Sequence, residues 1–378
     1  MTSAGTAASR KSGSAGGPDK EKIGLVLQGG GALGAYEAGA VRCLYDRGME
    51  CTIVAGASSG ALNAVTLAAA KANPPDALEA MWKGFGTPEL VPHPIEHLSS
   101  LVAVPHMYGP RLDYWRLPAW TSLADNTPLR ETLERLDWDQ VRDPDHMRVF
   151  VSASDLDTGE TVYFSNLPPD KLPKEPEYPP VRFGVEHVLA SGSFPGGFPW
   201  TEIEGKRYWD GGVTDNTPLH PVIDNLKDAA EAETLPVYVI DVNTGAGPRP
   251  ANLLQVQLRF FEMLLQNNLK TDTHRAESYT RFIGLLKRVD EIMRTVPENP
   301  PPGALADLLA LKSQPDWGKA MTYDPVRNVH VVDIKKPAGE SPADFDSETI
   351  EHRLRAGYEQ MCEYLGNLQQ QILGSHTG

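Results

Sequence analysis

Two strand-length apolar runs near the N-terminus each lead directly into a helical pattern. Residues 23–28 are almost continuously apolar and predict a buried strand, and residues 35–46 repeat apolar positions at helical spacing until Gly48 stops them. Residues 52–57 predict a second buried strand. Residues 59–72 predict an Ala-rich buried helix that Asn73-Pro74-Pro75 ends, and residues 76–85 continue as helix. Strand–helix–strand–helix order within about 50 residues implies parallel pairing and an α/β sheet.

Farther along, residues 86–124 lose all periodicity and are dense in Pro, His and aromatics, including Tyr108, Tyr114, Trp115 and Trp120. A structureless stretch of this length in a folded domain reads as a surface excursion or as a cap over a site elsewhere in the domain. Thr127-Pro128 predicts a helix start, with Thr at the N-cap. Residues 147–154 and 161–166 predict strands joined by a turn at Asp157-Thr158-Gly159-Glu160. Residues 185–191 predict a helix, 201–203 and 206–209 a short hairpin about Glu204-Gly205, and 236–242 another buried strand. Residues 253–295 read as helical, 328–334 as a last strand, and 347–373 as a long amphipathic helix.

Composition narrows the classes. With 35 Lys and Arg against 50 Asp and Glu, the 378-residue chain carries a formal charge of −15. That argues against a nucleic-acid partner, which needs clustered cations, but leaves room for a local apolar patch that meets lipid. Cys43, Cys51 and Cys362 suggest no disulfide framework and read as buried thiols in a reducing compartment. Residues 1–22 are rich in Ser, Ala and Gly, lack the apolar stretch of a secretory signal, and read as a disordered tail. The best apolar run, residues 61–70, is too short to span a bilayer. A cytoplasmic protein is expected, with peripheral membrane contact at most and no cofactor or metal motif.

The chemistry concentrates in two short turns. Gly29, Gly31 and Gly34 match G-x-G-x-x-G, the pattern of a dinucleotide fold. That fold wants an acidic residue ending its second strand, where this chain has Ala55-Gly56-Ala57-Ser58. The other use of such a loop is an oxyanion hole: successive glycines let N–H groups converge, and the helix N-terminus behind them adds positive potential. Gly56-Ala57-Ser58-Ser59-Gly60 follows an apolar strand and opens a helix, which is the setting of a nucleophile elbow. Gly56 and Gly60 let strand and helix crowd Ser58; a helix N-cap is the plainer role for that serine. For a base, Asp210 in Tyr208-Trp209-Asp210-Gly211-Gly212 stands at a strand end, although Asp-Gly is also a common turn signal. His187 and His220 keep a Ser–His–Asp esterase open as an alternative.

Four motifs in order, Gly29-Gly30-Gly31-Ala32-Leu33-Gly34, Gly56-Ala57-Ser58-Ser59-Gly60, the segment from Ala190-Ser191-Gly192-Ser193 to Phe198-Pro199, and Asp210-Gly211-Gly212, resemble those of the patatin-like phospholipases. The resemblance spans roughly residues 23–242. It implies a three-layer α/β/α sandwich with a mainly parallel central sheet, and hydrolysis of acyl esters of phospholipids, lysophospholipids or neutral lipids without a metal in most bacterial-type members. It assigns Ser58 as nucleophile, Asp210 as base, and Gly29, Gly30 and Gly31 as oxyanion donors, with Gly34, Gly56, Gly60, Gly211 and Gly212 in support. Leu33 departs from the Lys or Arg that many members carry in the loop, and Trp200 from a proline. The expected organisation is a tail over 1–22, a catalytic domain over 23–245 with 86–124 as cap, and a mainly helical extension over 246–378. A non-catalytic nucleotide-binding or scaffold protein is the competing reading from a different class.

Overall fold

The computed structural model describes residues 20–88, 103–226, 229–242, 329–337 and 340–375, with a few isolated positions between 256 and 310. The expected tail up to residue 19, most of the helical pattern at 253–295, and residues 89–102 of the expected cap lie outside the described residues.

Strand β1 (Glu21–Leu27) is buried from Ile23 onward, while Glu21 and Lys22 are exposed. A reading by hydrophobicity therefore starts this strand two residues late. Helix α1 (Gly34–Asp46), β2 (Met49–Gly56), α2 (Ser59–Ala69) and α3 (Pro74–Phe85) complete two βα units and their continuation. Helix α2 stops three residues before the predicted end because Ala70 is already extended, at φ −84° and ψ 115°. The excursion that follows holds a two-strand ribbon, β3 (Gly109–Pro110) with β4 (Ala124–Asp125), and between them a 3-10 turn at Tyr114–Ala119. Helix α4 (Thr127–Glu134) has Asn126 rather than Thr127 at its N-cap, since the Thr127 hydroxyl is drawn back to Asp125. Helix α5 (Trp138–Val141), β5 (Arg148–Asp155), β6 (Thr161–Ser165), α6 (Val185–Ser191), β7 (Thr201–Ile203) and β8 (Lys206–Asp210) follow. Then come α7 (Leu219–Asp224), α8 (Ala229–Thr234), β9 (Val237–Asp241), β10 (Val329–Asp333) and α9 (Ser347–Ser375).

The central sheet runs β10-β9-β1-β2-β5-β8-β7, with β6 also on β5. Pairs from β10 across to β5 are parallel, and those of β5 with β6 and β8, and of β7 with β8, are antiparallel. Alternation divides the strands between two cores, as expected for a sheet covered on both faces. Leu25, Leu27 and Val54 pack with α1, α2 and α3, whereas Val26, Ile53 and Ala55 pack with Leu219 and Val222 of α7. The result is an α/β/α sandwich whose mostly parallel sheet carries helices on both sides.

The C-terminal residues are built into this sandwich. β10 adds an edge strand beside β9, and α9 lies against α1 at backbone distance: a Cβ on Gly39 would fall 2.0 Å from the Leu354 carbonyl, and one on Gly357 equally close to that of Tyr36. The same helix pair holds a disulfide between Cys43 and Cys362, with a Cα separation of 5.9 Å, while Cys51 is a buried free thiol. This corrects the expectation of three unpaired thiols. The partners are 319 residues apart in sequence, so no spacing rule brings them together. A cross-link closing so long a loop stabilises by about 2–4 kcal/mol, mainly by restricting the unfolded chain. Cys362→Ala should therefore lower unfolding free energy by about that amount in urea titrations, and a thiol reductant should do the same to the wild type but not to the variant. No helix among the described residues is long and apolar enough to cross a membrane.

Candidate active site

Sheet register brings the two candidate residues level with each other. Gly56 of β2 faces Val151 of β5, and Ala153, two residues on, faces Asp210 of β8. Ser58 stands two residues beyond Gly56, so the same count along both neighbours of β5 places it opposite Asp210. The side chains meet: the Ser58 hydroxyl donates to Asp210 Oδ2 at 2.6 Å.

The turn that carries Ser58 is strained. Ser58 sits at φ 51° and ψ −117°, a region that residues with a Cβ seldom occupy, and it is half-buried between a strand end and the start of α2. The flanking glycines are required by contact. A Cβ on Gly56 would lie 2.3 Å from the Gly60 carbonyl oxygen, and one on Gly60 2.2 Å from that of Leu27. Gly60→Ala should destabilise the fold by about 3 kcal/mol or more, because the obstacle is backbone that cannot swing aside. Chemical denaturation of the variant measures this.

Asp210 is almost fully buried and ends β8. Burial pushes its carboxyl up to about 7, against the hydrogen bonds from Ser58 and from the Gly212 N–H, which accounts for its position within reach of neutral pH. The Gly212 N–H reaches Asp210 Oδ1 at 2.7 Å and fixes the carboxylate plane. Gly211 lets this turn press on β5, where a Cβ would fall 2.2 Å from Ser152 Oγ. A neutral-range carboxylate held on a serine hydroxyl can take that proton as the oxygen attacks an electrophile.

The glycine loop leaves the carboxyl end of β1 beside this pair. Gly30 N–H donates to Ser59 Oγ at 3.0 Å, and Gly29 N–H to the Asn216 carbonyl at 3.4 Å. Gly31 has φ +56° and is half-exposed, whereas Gly29 and Gly30 are buried. The next N–H, of Ala32, donates to the Pro342 carbonyl at 2.8 Å, so the C-terminal segment buttresses the loop from behind. Gly34 begins α1 against α3, where a Cβ would meet the Trp82 ring at 2.6 Å.

Three supports were assigned no role from the sequence, although Ser191 lies in one of the four motifs. Ser191, fully buried at the end of α6, accepts the Ser58 N–H on its Oγ at 3.0 Å. Asn216 donates from Nδ2 to the Gly29 carbonyl at 3.0 Å and so ties the glycine loop to the segment after Asp210. Glu37, wholly buried on α1, accepts from the Gln28 N–H at 2.6 Å and from Asn63 Nδ2 at 2.9 Å, and Asn63 in turn accepts from Trp82 Nε1. Burial raises the Glu37 carboxyl well above its ordinary range. The sequence pointer to Glu37 was a lone charge on an otherwise apolar helical face.

The two histidines are engaged elsewhere. His187 is buried between Phe164 and Phe183, its Nδ1 accepts the Gly184 N–H at the start of α6, and burial depresses its pKa. His220 faces Asp224 across one turn of α7 at 3.3 Å. No grouping of three or more metal-ligand side chains occurs among the described residues.

A family model described as patatin-like phospholipase matches residues 25–223, more than half of the chain. Among solved structures the chain is similar to VipD from Legionella pneumophila, with a TM-score of 0.40 and 16% identity over 93% of this chain and 67% of that one. No curated protein matches. With one family model spanning β1 through α7 and thus both turns and both residues of the hydrogen-bonded pair, the chain belongs to the patatin-like phospholipases, a family of lipid acyl hydrolases.

Proposed function

We propose that the protein is a serine acyl-ester hydrolase acting on phospholipid, lysophospholipid or other acyl-ester lipids, with Ser58 as nucleophile and Asp210 as its base. The observation that carries this reading is the 2.6 Å bond from a strained, solvent-accessible serine to a buried carboxylate. Ser58 Oγ attacks the ester carbonyl while its proton passes to Asp210 Oδ2. Collapse of the tetrahedral species expels the alkoxide of the glycerol or head-group side, which takes the proton from Asp210. Water then attacks the acyl-enzyme, giving its proton to Asp210, and the fatty acid leaves as the proton returns to Ser58. A carboxylate is a weak base for an alcohol, so the oxyanion must be stabilised as it forms. The Gly29–Gly30–Gly31 loop does this, with the Gly31 peptide, at its half-exposed end, meeting the oxyanion and the bonds at Gly29 and Gly30 holding the loop in place. The cycle needs these residues and water.

Two measurements on the purified full chain test the proposal. Fatty acid released from phosphatidylcholine, lysophosphatidylcholine and a soluble p-nitrophenyl ester is quantified by mass spectrometry, and a fluorophosphonate probe is mapped on the protein. Ester cleavage with one adduct on Ser58 is expected. A folded protein that cleaves none of these esters, or an adduct on another residue, overturns it.

A further inference from the structure

We infer that the excursion between β3 and β4 is a membrane-docking surface that seats the protein on a zwitterionic lipid bilayer next to its active site. The inference rests on the lipid-hydrolase reading above and adds the partner and the residues that meet it. Leu112, Trp115 and Leu123 are 71%, 81% and 72% exposed, and Tyr114 and Leu117 beside them are more than half exposed. A concentration of large apolar side chains facing water within a dozen residues marks an interaction surface. Tyr and Trp with neighbouring leucines suit the boundary between water and acyl chains, where one end of the ring is wet and the other dry.

This exposure is built into the excursion. Within the same turn, Arg111 makes a paired contact with Asp113, at 3.0 and 2.7 Å, and also reaches Ser122 Oγ. Its guanidinium lies 4.8 Å from the Trp120 ring centre, and Trp120 Nε1 donates to the Asp113 carbonyl. The polar groups and Trp120, each at least partly buried, thus brace the turn, and Leu112, Tyr114, Trp115, Leu117 and Leu123 are left exposed. A folding requirement would turn them the other way.

The patch is continuous with the candidate active site through one short segment. Leu123 and Ala124 donate their N–H groups to the carbonyls of Gly196 and Gly197, each at 2.9 Å. That same segment accepts the Asp210 N–H on the Ser193 carbonyl, and Ser191 accepts the Ser58 N–H. A bilayer held at Leu123 is therefore joined to Asp210 and Ser58 through the single segment 191–197. Charge selects the kind of bilayer. With Arg111 paired to Asp113, the turn itself offers anionic lipid the single further cation Arg116 on a protein of charge −15, too little for electrostatic docking, so apolar insertion must carry the binding. Zwitterionic lipid is the fitting surface, and binding to it should be insensitive to salt.

The test is flotation of the full chain with phosphatidylcholine vesicles, made in a Ser58→Ala background so that the lipid stays intact. Trp115→Ser/Leu117→Ser in that background should keep its circular dichroism spectrum and melting temperature, and should partition about tenfold or more weakly. Binding of the parent that survives high salt, and that the double substitution weakens to this degree, supports the inference. No binding by the parent, equal binding by the variant, or binding confined to vesicles doped with phosphatidylglycerol and lost in salt overturns it. So does a dimer, seen by analytical ultracentrifugation, that the double substitution dissociates, since a second copy would then cover the patch. Turnover of the three esters by wild type separates the two readings: cleavage of any of them without vesicle binding removes the docking surface alone, whereas cleavage of none removes the hydrolase.

Discussion

Ser58→Ala is expected to lower kcat/KM for a soluble ester by at least about 10⁴-fold, because removing a nucleophile leaves only the residual catalysis of binding and oxyanion contacts. The protein should stay folded, since the Ser58 side chain bonds Asp210 and no other described residue. The backbone makes a second, sharper forecast. Ser58 holds φ 51° and ψ −117°, which alanine tolerates no better than serine and glycine tolerates freely. Ser58→Gly should therefore be as inactive as Ser58→Ala but more stable than it by about 1–3 kcal/mol, the scale of one strained residue. Urea denaturation of the two variants side by side decides this. Equal stability would mean that the elbow is relaxed, and substantial turnover in either variant would mean that another residue attacks.

Asp210→Asn is expected to reduce turnover by several orders of magnitude and to change how both activity and stability depend on pH. An amide occupies the same space and can still accept the Gly212 N–H, so the fold should persist. Activity comes first. The carboxyl is pushed up to about 7 by burial, so it is a carboxylate above that pH and a neutral acid below it. Wild-type kcat/KM should therefore fall on the acid side with an apparent pKa near 7, losing about tenfold per pH unit at lower pH. Any residual activity of the variant should lack this limb. Stability carries the opposite sign. Between the ordinary carboxyl range and about 7 the folded state holds a proton that the unfolded state has released. The contribution is full below that window and is lost as pH rises through it. Wild-type stability should thus decline across that interval, and Asp210→Asn should remove this part of the slope. A wild-type activity profile flat between pH 5 and 8 would put the working base elsewhere.

Ser58 and Asp210 were paired from the sequence only through the family resemblance, and nothing along the chain showed how they meet. The β1 and β2 runs, the Ala-rich helix after Ser58 and the hairpin before Asp210 are local features. Each depends on spacing, glycine placement and apolar period within a dozen residues, and each formed with boundaries moved by one to three residues. The errors at those boundaries were also local: exposed Glu21 and Lys22 hid the start of β1, and the Asp125 carboxylate moved the cap of α4 by one residue.

What lay beyond the reach of pattern was contact between distant segments. Ser58 and Asp210 are 152 residues apart and meet because β5 lies between β2 and β8 in a particular register. Ser191 and Asn216 owe their places at the site to the same sheet, through α6 and the segment after β8. Cys43 and Cys362 read as separate thiols until α9 crossed α1 at glycine-to-backbone distance. The turn at 112–123 read as no more than an aromatic-rich loop until the fold left Leu112, Trp115 and Leu123 exposed beside the paired Arg111, Asp113 and Trp120. Local hydrogen bonding and side-chain period act over a few residues and so are written along the chain. Register, the raised pKa of a buried carboxyl and the direction an apolar side chain faces depend on which segments pack together, and packing is a property of the folded whole.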